Sequence, residues 1–220
     1  MALNKLKFNS LNVTPTAGKT VGFNSDADGL EATLSGGDMA FIKKLTASSD
    51  GTLSFVDGAS DVVLDNTYKE YFFIFNNIHS SSEAQFQVGF RDGSTDYDAT
   101  KTTSVFRAYH FESDSGAGLG YQGSEDLAQS TGFQRIGQYQ SSSDNDSSGS
   151  GYLHLFNPSS TTFIKHFYSN YTHHYTNAAP GSINNYMAGY CNVTAAIDAV
   201  QFKMDSGNID AGTITLYGIN

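Results

Sequence analysis

The chain has 220 residues, and its 12 Lys and Arg against 22 Asp and Glu give a formal net charge of −10. This charge argues against nucleic acid as a partner, since phosphate binding needs clustered cations, and no apolar run approaches the roughly 20 residues of a membrane-spanning helix. The single cysteine, Cys191, excludes an intrachain disulfide framework and a cysteine-based zinc site, and residues 1–7 lack the apolar core that predicts a secretory signal peptide.

The polar residues are mostly uncharged, which favours strands over helices. Only 15% of the residues are charged, and Ser, Thr and Asn supply most of the remaining polarity. These side chains compete with the helical backbone for hydrogen bonds, and Thr is also β-branched. Because no segment of helical length keeps a 3.6-residue apolar period, composition and pattern both predict an all-β chain.

Residues 1–40 are the first segment that the sequence sets apart. Their apolar side chains are too sparse to form a core, and they fall at roughly alternate positions. That spacing is typical of an extended segment that binds along a neighbour's sheet or groove. We therefore predict an N-terminal anchoring arm over 1–40 and a β-sandwich body over 41–220. The arm residues expected to insert into the neighbour's surface are Leu3, Leu6, Phe8, Leu11, Val13, Val21 and Phe23.

The first strands of the body are short and separated by turn residues. Residues 41–46 and 52–56 lie on either side of Asp50-Gly51, a pair favoured in tight turns, and are predicted to form a hairpin. Residues 68–75 (YKEYFFIF) follow. Their middle is apolar on both faces, which predicts a central strand whose outer face is covered by a loop, a terminus or a neighbour.

The second half of the chain repeats this pattern. Residues 152–156 end at a turn that begins with Asn157-Pro158, and residues 163–168 are predicted to return as the hairpin partner. Residues 139–151 are predicted to be an exposed polar loop. Further strands are expected at 85–91, 104–109, 186–193, 200–204 and 213–217. About ten short strands joined by Gly, Asn and Asp turns predict an antiparallel β-sandwich of jelly-roll type.

Histidines are the first side chains to consider for metal binding. His154 and His166 would share one sheet face if the second hairpin forms, and His173 or His174 could complete a three-histidine zinc site. No H-E-x-x-H pattern and no carboxylate cluster accompanies them. The sequence therefore predicts no metal site, with Tyr, His and Phe sharing a half-buried surface.

The other motifs for chemistry each fail at a definite position. The segment 144–149 begins like a calcium loop, but Leu155 stands where the bidentate Glu should be. Residues 118–123 match G-x-G-x-x-G without the strand and long helix that a dinucleotide fold needs. There is no G-x-S-x-G elbow, and Cys191 lies in an apolar strand. We predict no cofactor and no catalytic residue, and hence a protein that is not an enzyme.

Aromatic side chains beside amides are the better indication of function. This mixture is typical of a sugar-binding site, and it also serves a wet protein–protein interface. The sequence leaves both alternatives open. The candidate surface recognition residues are Tyr168, Asn170, Tyr171, Tyr175 and Tyr186.

Six segments carry a resemblance to a known group of proteins. They are 4–15 (NKLKFNSLNVTP), 26–31 (DADGLE), 68–71 (YKEY), 127–133 (LAQSTGF), 151–162 (GYLHLFNPSSTT) and 207–218 (GNIDAGTITLYG). Over nearly its whole length the chain resembles small virion-associated proteins of marine tailed bacteriophages that infect cyanobacteria and pelagic bacteria. These relatives are labelled structural or tail-fibre proteins, and the resemblance supplies no catalytic residues. It implies a place on the virion surface after assembly in the host cytoplasm.

Three functions are compatible with this resemblance. The first, which we expect, is a head decoration (cement) protein whose arm binds capsid proteins, because Lys5, Lys7 and Lys19 give the arm cations while the acidic charge lies mainly on the body. The second is a tail-fibre or receptor-binding protein, attached to tail proteins, whose body recognises a host-surface glycan. The third is a hydrolytic tailspike, although such enzymes usually show paired carboxylates and a longer repetitive fold.

The apolar residues at 71–75 also bear on the oligomeric state. They occupy both faces of one strand, which is more than a two-layer sandwich alone needs to bury. A symmetric interface would cover the surplus, so we predict a homotrimer or another small symmetric oligomer.

Overall fold

The computed structural model describes residues 20–23, 30–33, 39–140, 146–175 and 179–220. The chain divides into two units, Met1–Ala40 and Phe41–Asn220. In the first unit, β1 (Thr20–Phe23) pairs antiparallel with β2 (Leu30–Thr33). Of the predicted arm residues, Val21 and Phe23 lie on β1, and the others lie outside the described residues: Leu3, Leu6, Phe8, Leu11 and Val13.

Twelve more strands follow in the described residues. They are β3 (Met39–Thr46), β4 (Thr52–Val56), β5 (Glu70–Ser80), β6 (Phe86–Arg91), β7 (Lys101–Phe111), β8 (Ala117–Tyr121), β9 (Gln134–Arg135), β10 (Gly149–Phe156), β11 (Lys165–Tyr175), β12 (Gly181–Cys191), β13 (Ala199–Met204) and β14 (Ile209–Ile219). Among the described residues there is no helix, and so none long and apolar enough to cross a membrane. The prediction of an all-β chain is confirmed.

The body consists of two antiparallel sheets packed face to face. The large sheet has the strand order β3-β14-β5-β10-β11-β12-β7-β8, and the small sheet has the order β4-β13-β6-β9. Rings from both sheets meet between them: Phe73 of β5 lies 5.3 Å from Phe55 of β4 and 5.4 Å from Phe202 of β13. At the other end of the core, Phe90 of β6 lies 4.6 Å from Phe167 of β11. The predicted β-sandwich is therefore confirmed.

Strand β5 is central, as its sequence predicts, and lies between β14 and β10 in the large sheet. Its residues alternate between the two faces, because successive side chains of a strand point in opposite directions. Tyr71, Phe73 and Phe75 are buried towards the small sheet, whereas Phe72 and Ile74 are half-buried on the opposite face. The second apolar face of β5 is thus partly covered within its own sheet.

The hairpin predicted around Asn157-Pro158 is confirmed. Strands β10 and β11 pair antiparallel, with Leu155 opposite Phe167. The loop between them is longer than predicted, because the returning strand begins at Lys165 rather than at 163.

The hairpin predicted around Asp50-Gly51 is wrong. Strand β3 belongs to the large sheet and β4 to the small one, so the chain crosses from one sheet to the other between them. The connecting backbone continues along β14 instead of turning back, and the Asp50 N–H donates to the Ile209 carbonyl at 2.9 Å. Ser49, with φ 62°, takes the left-handed conformation there, which shows that the turn is not built on the glycine.

The predicted exposed loop at 139–151 is only partly correct. Residues 141–145 lie outside the described residues, but Ser147 and Gly149 are buried and β10 begins at Gly149. A Cβ at position 149 would lie 2.0 Å from the hydroxyl of Tyr171. The glycine is therefore part of the close packing of the sheet, although its Ser- and Gly-rich surroundings have the composition of an exposed loop.

Candidate functional site

The outer face of the large sheet, which faces away from the small sheet, carries a cluster of aromatic rings. Residues of β10 and β11 at even positions point outwards, while those at odd positions face the core. The His154 ring lies 4.2 Å from Phe72 and 4.7 Å from Tyr168, and it is nearly parallel to Tyr168 with an interplanar angle of 13°. Tyr152 contacts the same group, 6.3 Å from Tyr168. These rings form one continuous aromatic group that projects from the outer face of the sheet, and it is one wall of the site described below.

A second pair of rings lies on the same face, on the next two strands of the sheet after β11. Phe106 of β7 and Tyr186 of β12 are directly opposite each other in the strand register. Their centroids are 4.8 Å apart and their planes differ by 7°. Phe106 is 44% exposed and Tyr186 is 39% exposed, so the pair presents ring surface to solvent.

Small side chains separate these two aromatic groups. Ala188 lies opposite Tyr168 in the register, and Ser104 lies opposite Ala188. Neither fills the space between the rings, and a cavity of about 260 Å³ results. We call this cavity the aromatic cleft and define it by six of its lining residues: Ser104, Phe106, Tyr168, Asn170, Tyr186 and Ala188.

The aromatic cleft continues into a second cavity along the sheet. This neighbouring groove has a volume of about 440 Å³ and shares Ser104, Tyr168 and Ala188 with the cleft. Further along, His166 and Tyr190 line it. The described residues that line both cavities include no Asp, Glu, Lys or Arg. The combined surface is therefore aromatic and polar, with His166 as its one titratable imidazole among the described lining residues.

Hydrogen-bonding groups lie between the aromatic walls. Asn170, directly opposite Tyr186, donates its amide N–H to the side-chain oxygen of Asn184 at 2.8 Å, which fixes the orientation of the amide. Burial, with the nearby carboxylate of Glu70 and the phenol of Tyr152, raises the pKa of Tyr168. The Tyr168 hydroxyl therefore remains protonated at neutral pH and can donate a hydrogen bond.

The structure brings together three of the five predicted recognition residues. Tyr168, Asn170 and Tyr186 all line the aromatic cleft. The prediction that Tyr171 is a surface residue is wrong, because it is 0% exposed and its ring packs 5.5 Å from Phe86 in the core. It sits at an odd position of β11, and all its odd neighbours face the small sheet.

Tyr175 is also at an odd position of β11, at the end of the strand, and so lies on the side of the small sheet. It is half-buried, and its ring lies 6.4 Å from that of Tyr139. It is not among the residues that line the aromatic cleft. Its nearness in sequence to Tyr168 does not place it at the same site.

Sequence reasoning missed Phe106, Ser104 and Ala188. The alternation around Val105 and Phe106 contains a usable signal, since a buried Val105 implies an outward Phe106. The role of Ser104 and Ala188 depends on which strand lies next to which. The pairing register of β11, β12 and β7 places these two residues beside Tyr168. The sequence of one strand alone does not contain this register.

The histidines considered for zinc do not meet at one site. His154 lies on the outer face and hydrogen-bonds through Nδ1 to the Glu70 carboxylate, whereas His173 is 2% exposed and faces the core. Among the described residues, no group of three or more His, Cys, Asp or Glu side chains is arranged to hold a metal ion.

Comparison with known proteins gives no family for this chain: no family model, no curated protein and no solved structure matches it.

Proposed function

We propose that the chain is a non-enzymatic structural protein of a bacteriophage virion, and that it is a head decoration protein anchored on the capsid by residues 1–40. The division into a short N-terminal unit and a separate sandwich supports this proposal. The charges are divided in the same way. Residues 41–220 carry nine Lys and Arg against eighteen Asp and Glu, so nearly all of the net negative charge lies on the body.

The uneven charge and the apolar spacing of residues 1–40 support an anchoring role for this segment. Lys5, Lys7 and Lys19 reduce the electrostatic repulsion between this segment and an acidic capsid surface. The more acidic body would be repelled more strongly by the same surface. Each large apolar side chain that becomes fully buried contributes roughly 1.5–3 kcal/mol. Half a dozen such side chains are enough to offset the cost of ordering an extended segment on binding.

Copy number per particle tests the location on the head. Quantitative mass spectrometry of purified virions, calibrated against the major capsid protein, should give hundreds of copies of a decoration protein. A count of a few to dozens would instead assign the protein to the tail and contradict the proposal.

Deletion of residues 1–35 tests the anchor. The truncated protein should keep the thermal unfolding transition of the body but no longer sediment with particles that lack the native protein. A body that unfolds without this segment, or that still binds particles, would show that residues 1–35 are not the anchor. A finer comparison pairs Lys5→Gln/Lys7→Gln, which should weaken binding, with Lys43→Gln/Lys44→Gln, a matched change in the body that should not.

The aromatic cleft favours one second candidate, a tail-fibre or receptor-binding protein. An exposed aromatic and amide surface is suited to recognising a host glycan, and a receptor-binding protein needs such a surface at the outside of the virion. Immunogold electron microscopy with an antibody to the body distinguishes the two. Label over the whole head supports decoration, and label confined to the tail supports receptor binding.

We also infer that the protein assembles as a homotrimer. Strand β3 is at one edge of the large sheet, where Phe41 is 63% exposed and contacts Tyr217 of β14 at 6.0 Å between ring centroids. A symmetric contact between copies would cover this apolar edge. Multi-angle light scattering of the full chain at micromolar concentration should give three times the chain mass, and a monomer mass would contradict the inference.

A further inference from the structure

We propose that the aromatic cleft is a carbohydrate-binding site, and that its ligand is an uncharged oligosaccharide. The site lies on the body, so the proposal holds whether the protein decorates the head or belongs to the tail. It rests on three properties of the cleft: the exposed ring surfaces, the polar groups between them, and the absence of charge from its described lining residues.

The ring surfaces match the apolar faces of a sugar. A pyranose presents axial C–H groups on one or both faces, and these pack against the negative face of an aromatic ring. Tyr168 and Tyr186 are each 39% exposed and line the same cavity of about 260 Å³. Phe106, which also lines the cleft, stacks on Tyr186 and holds that ring in place, so this aromatic surface is already formed before a ligand binds.

The floor of the cleft is kept low by small side chains. Ala188 on β12 lies opposite Tyr168, Ser104 on β7 lies opposite Ala188, and both small side chains are exposed. A larger residue at either position would fill the space between the walls. A sugar ring entering there has the Ser104 hydroxyl below it and the Asn170 amide beside it, which are groups that both donate and accept hydrogen bonds with sugar hydroxyls.

The charge distribution selects an uncharged ligand. The described residues lining the cleft and its neighbouring groove include no Asp, Glu, Lys or Arg, so a carboxylate, sulfate or phosphate on a sugar would find no lysine or arginine to pair with. The body carries eighteen Asp and Glu against nine Lys and Arg, which repels polyanions at longer range. Neutral hexoses and N-acetylhexosamines avoid both penalties.

The neighbouring groove indicates that the ligand is longer than one sugar. It opens directly from the cleft at Ser104 and Ala188 and continues to Tyr190, which provides another aromatic group. A second sugar unit linked to the first would follow this direction. We therefore expect a short chain of neutral sugars to bind more tightly than a monosaccharide.

A glycan array tests the proposal with the full chain. The array carries neutral oligosaccharides of hexoses and N-acetylhexosamines together with sialylated, sulfated and uronic-acid glycans. We expect binding to a subset of the neutral glycans, confirmed by titration calorimetry with the best of them. Tyr168→Ala and Tyr186→Ala should each weaken that binding at least tenfold. Phe163→Ala, which removes another highly exposed aromatic side chain outside the lining of both cavities, should leave it unchanged.

Each other outcome overturns the proposal. Absence of binding to any neutral glycan, preference for the acidic glycans, or equal binding by Tyr168→Ala would each exclude a carbohydrate site in the cleft. A change in oligomeric mass in Tyr168→Ala or Tyr186→Ala, without glycan binding by the native chain, would assign the surface to a second copy of this protein. Thermal unfolding of each variant is measured alongside. Ala188→Leu fills the cleft but keeps both tyrosine rings, so it should also prevent glycan binding. These results are separate from copy number on virions, so the site and the head location can fail independently.

Discussion

Phe106 and Tyr186 face each other across β7 and β12, with their rings 4.8 Å apart and nearly parallel. Each ring shields one side of the other, and their remaining surfaces stay open to solvent. The pair therefore joins two functions of the sheet, because the same contact that strengthens strand pairing also holds one wall of the aromatic cleft.

The first prediction is a measurable coupling between these two rings. Stacked aromatic pairs contribute about 0.5–1.5 kcal/mol beyond the area they bury. In a double-mutant cycle of Phe106→Ala and Tyr186→Ala, urea unfolding should give a coupling free energy in that range. Additive effects of the two substitutions would show that the rings are independent. In that case Phe106 would not hold Tyr186 in place.

A second prediction concerns the glycine at the start of β10. In Gly149→Ala the new Cβ would lie 2.0 Å from the Tyr171 hydroxyl and 2.6 Å from the Gln140 amide nitrogen, both fully buried. Overpacking of this kind destabilises by about 1–3 kcal/mol, and the completely enclosed site favours the upper end. Gly120→Ala on β8, where the nearest atom is 4.0 Å away, is the matched control and should change the free energy of unfolding by less than about 0.5 kcal/mol. Equal effects in urea unfolding would contradict this account.

The glycine also shows what the sequence could and could not predict. The short alternating strands correctly predict the sandwich, the apolar residues on both faces of β5 predict its central position, and the turn at Asn157-Pro158 predicts the pairing of β10 with β11. Composition places Gly149 in an exposed loop, because a Ser- and Gly-rich run has the same composition whether it is solvated or packed under a tyrosine. The close approach to Tyr171 depends on a residue in another strand.

Two other errors have similar physical causes. The Asp50-Gly51 pair has the composition of a tight turn, but backbone hydrogen bonding of Asp50 to β14 carries the chain across to the second sheet. The sequence groups Tyr171 with Tyr168 because both tyrosines flank the amide of Asn170. A difference of three positions in a strand puts them on opposite faces. Residue types predict that aromatic and amide side chains lie together at the surface. Odd or even position within each strand, and the pairing register between strands, decide which of those residues form the cleft.

The third prediction is that Cys191 is unreactive in the folded protein. Burial raises the pKa of its thiol to about 12, and the nearby Lys101 and Lys165 lower it only in part. Both lysines are themselves buried, and their ammonium groups donate to backbone carbonyls, Lys101 to Gly132 at 2.8 Å and Lys165 to Val193 at 2.9 Å. Because only the thiolate attacks a disulfide reagent, labelling at pH 8 should be slower by orders of magnitude than that of a free thiol.

Labelling with a chromogenic disulfide reagent checks this. The folded chain should give almost no signal over an hour, and the same chain in concentrated urea should react with one equivalent. As a control, Ser115→Cys in a Cys191→Ala background places a thiol in the exposed loop between β7 and β8 and should label rapidly. Fast labelling of Cys191 in the folded state would mean that this part of the sandwich opens readily.

The final prediction concerns stability at acid pH and follows from His173. Burial lowers the pKa of His173 to about 3, and the positive charges of Arg107 and His174 act in the same direction, while the backbone of Gln138 opposes them. In the unfolded chain the pKa of a histidine is about 6.5. Between pH 6.5 and 3 the unfolded state therefore binds one more proton than the folded state. The free energy of unfolding must then fall as the pH is lowered through this range, by up to about 1.4 kcal/mol for each pH unit, and His173 adds no pH dependence above it.

Comparison of the native chain with His173→Phe isolates this effect. Burial raises the pKa of Glu125, so the uptake of a proton by this carboxyl stabilises the fold as the pH falls towards the ordinary glutamate pKa, opposite to the effect of His173, but that carboxyl is present in both proteins. Urea unfolding at pH 7.5, 6.0 and 5.0 should show the native chain losing stability faster than His173→Phe, by about 2 kcal/mol at pH 5.0 relative to pH 7.5. His166→Gln, an exposed histidine on the outer face, is the control and should follow the native chain. Parallel pH profiles for the native chain and His173→Phe would show that His173 can be protonated in the folded sandwich, and its burial would then have no part in acid unfolding.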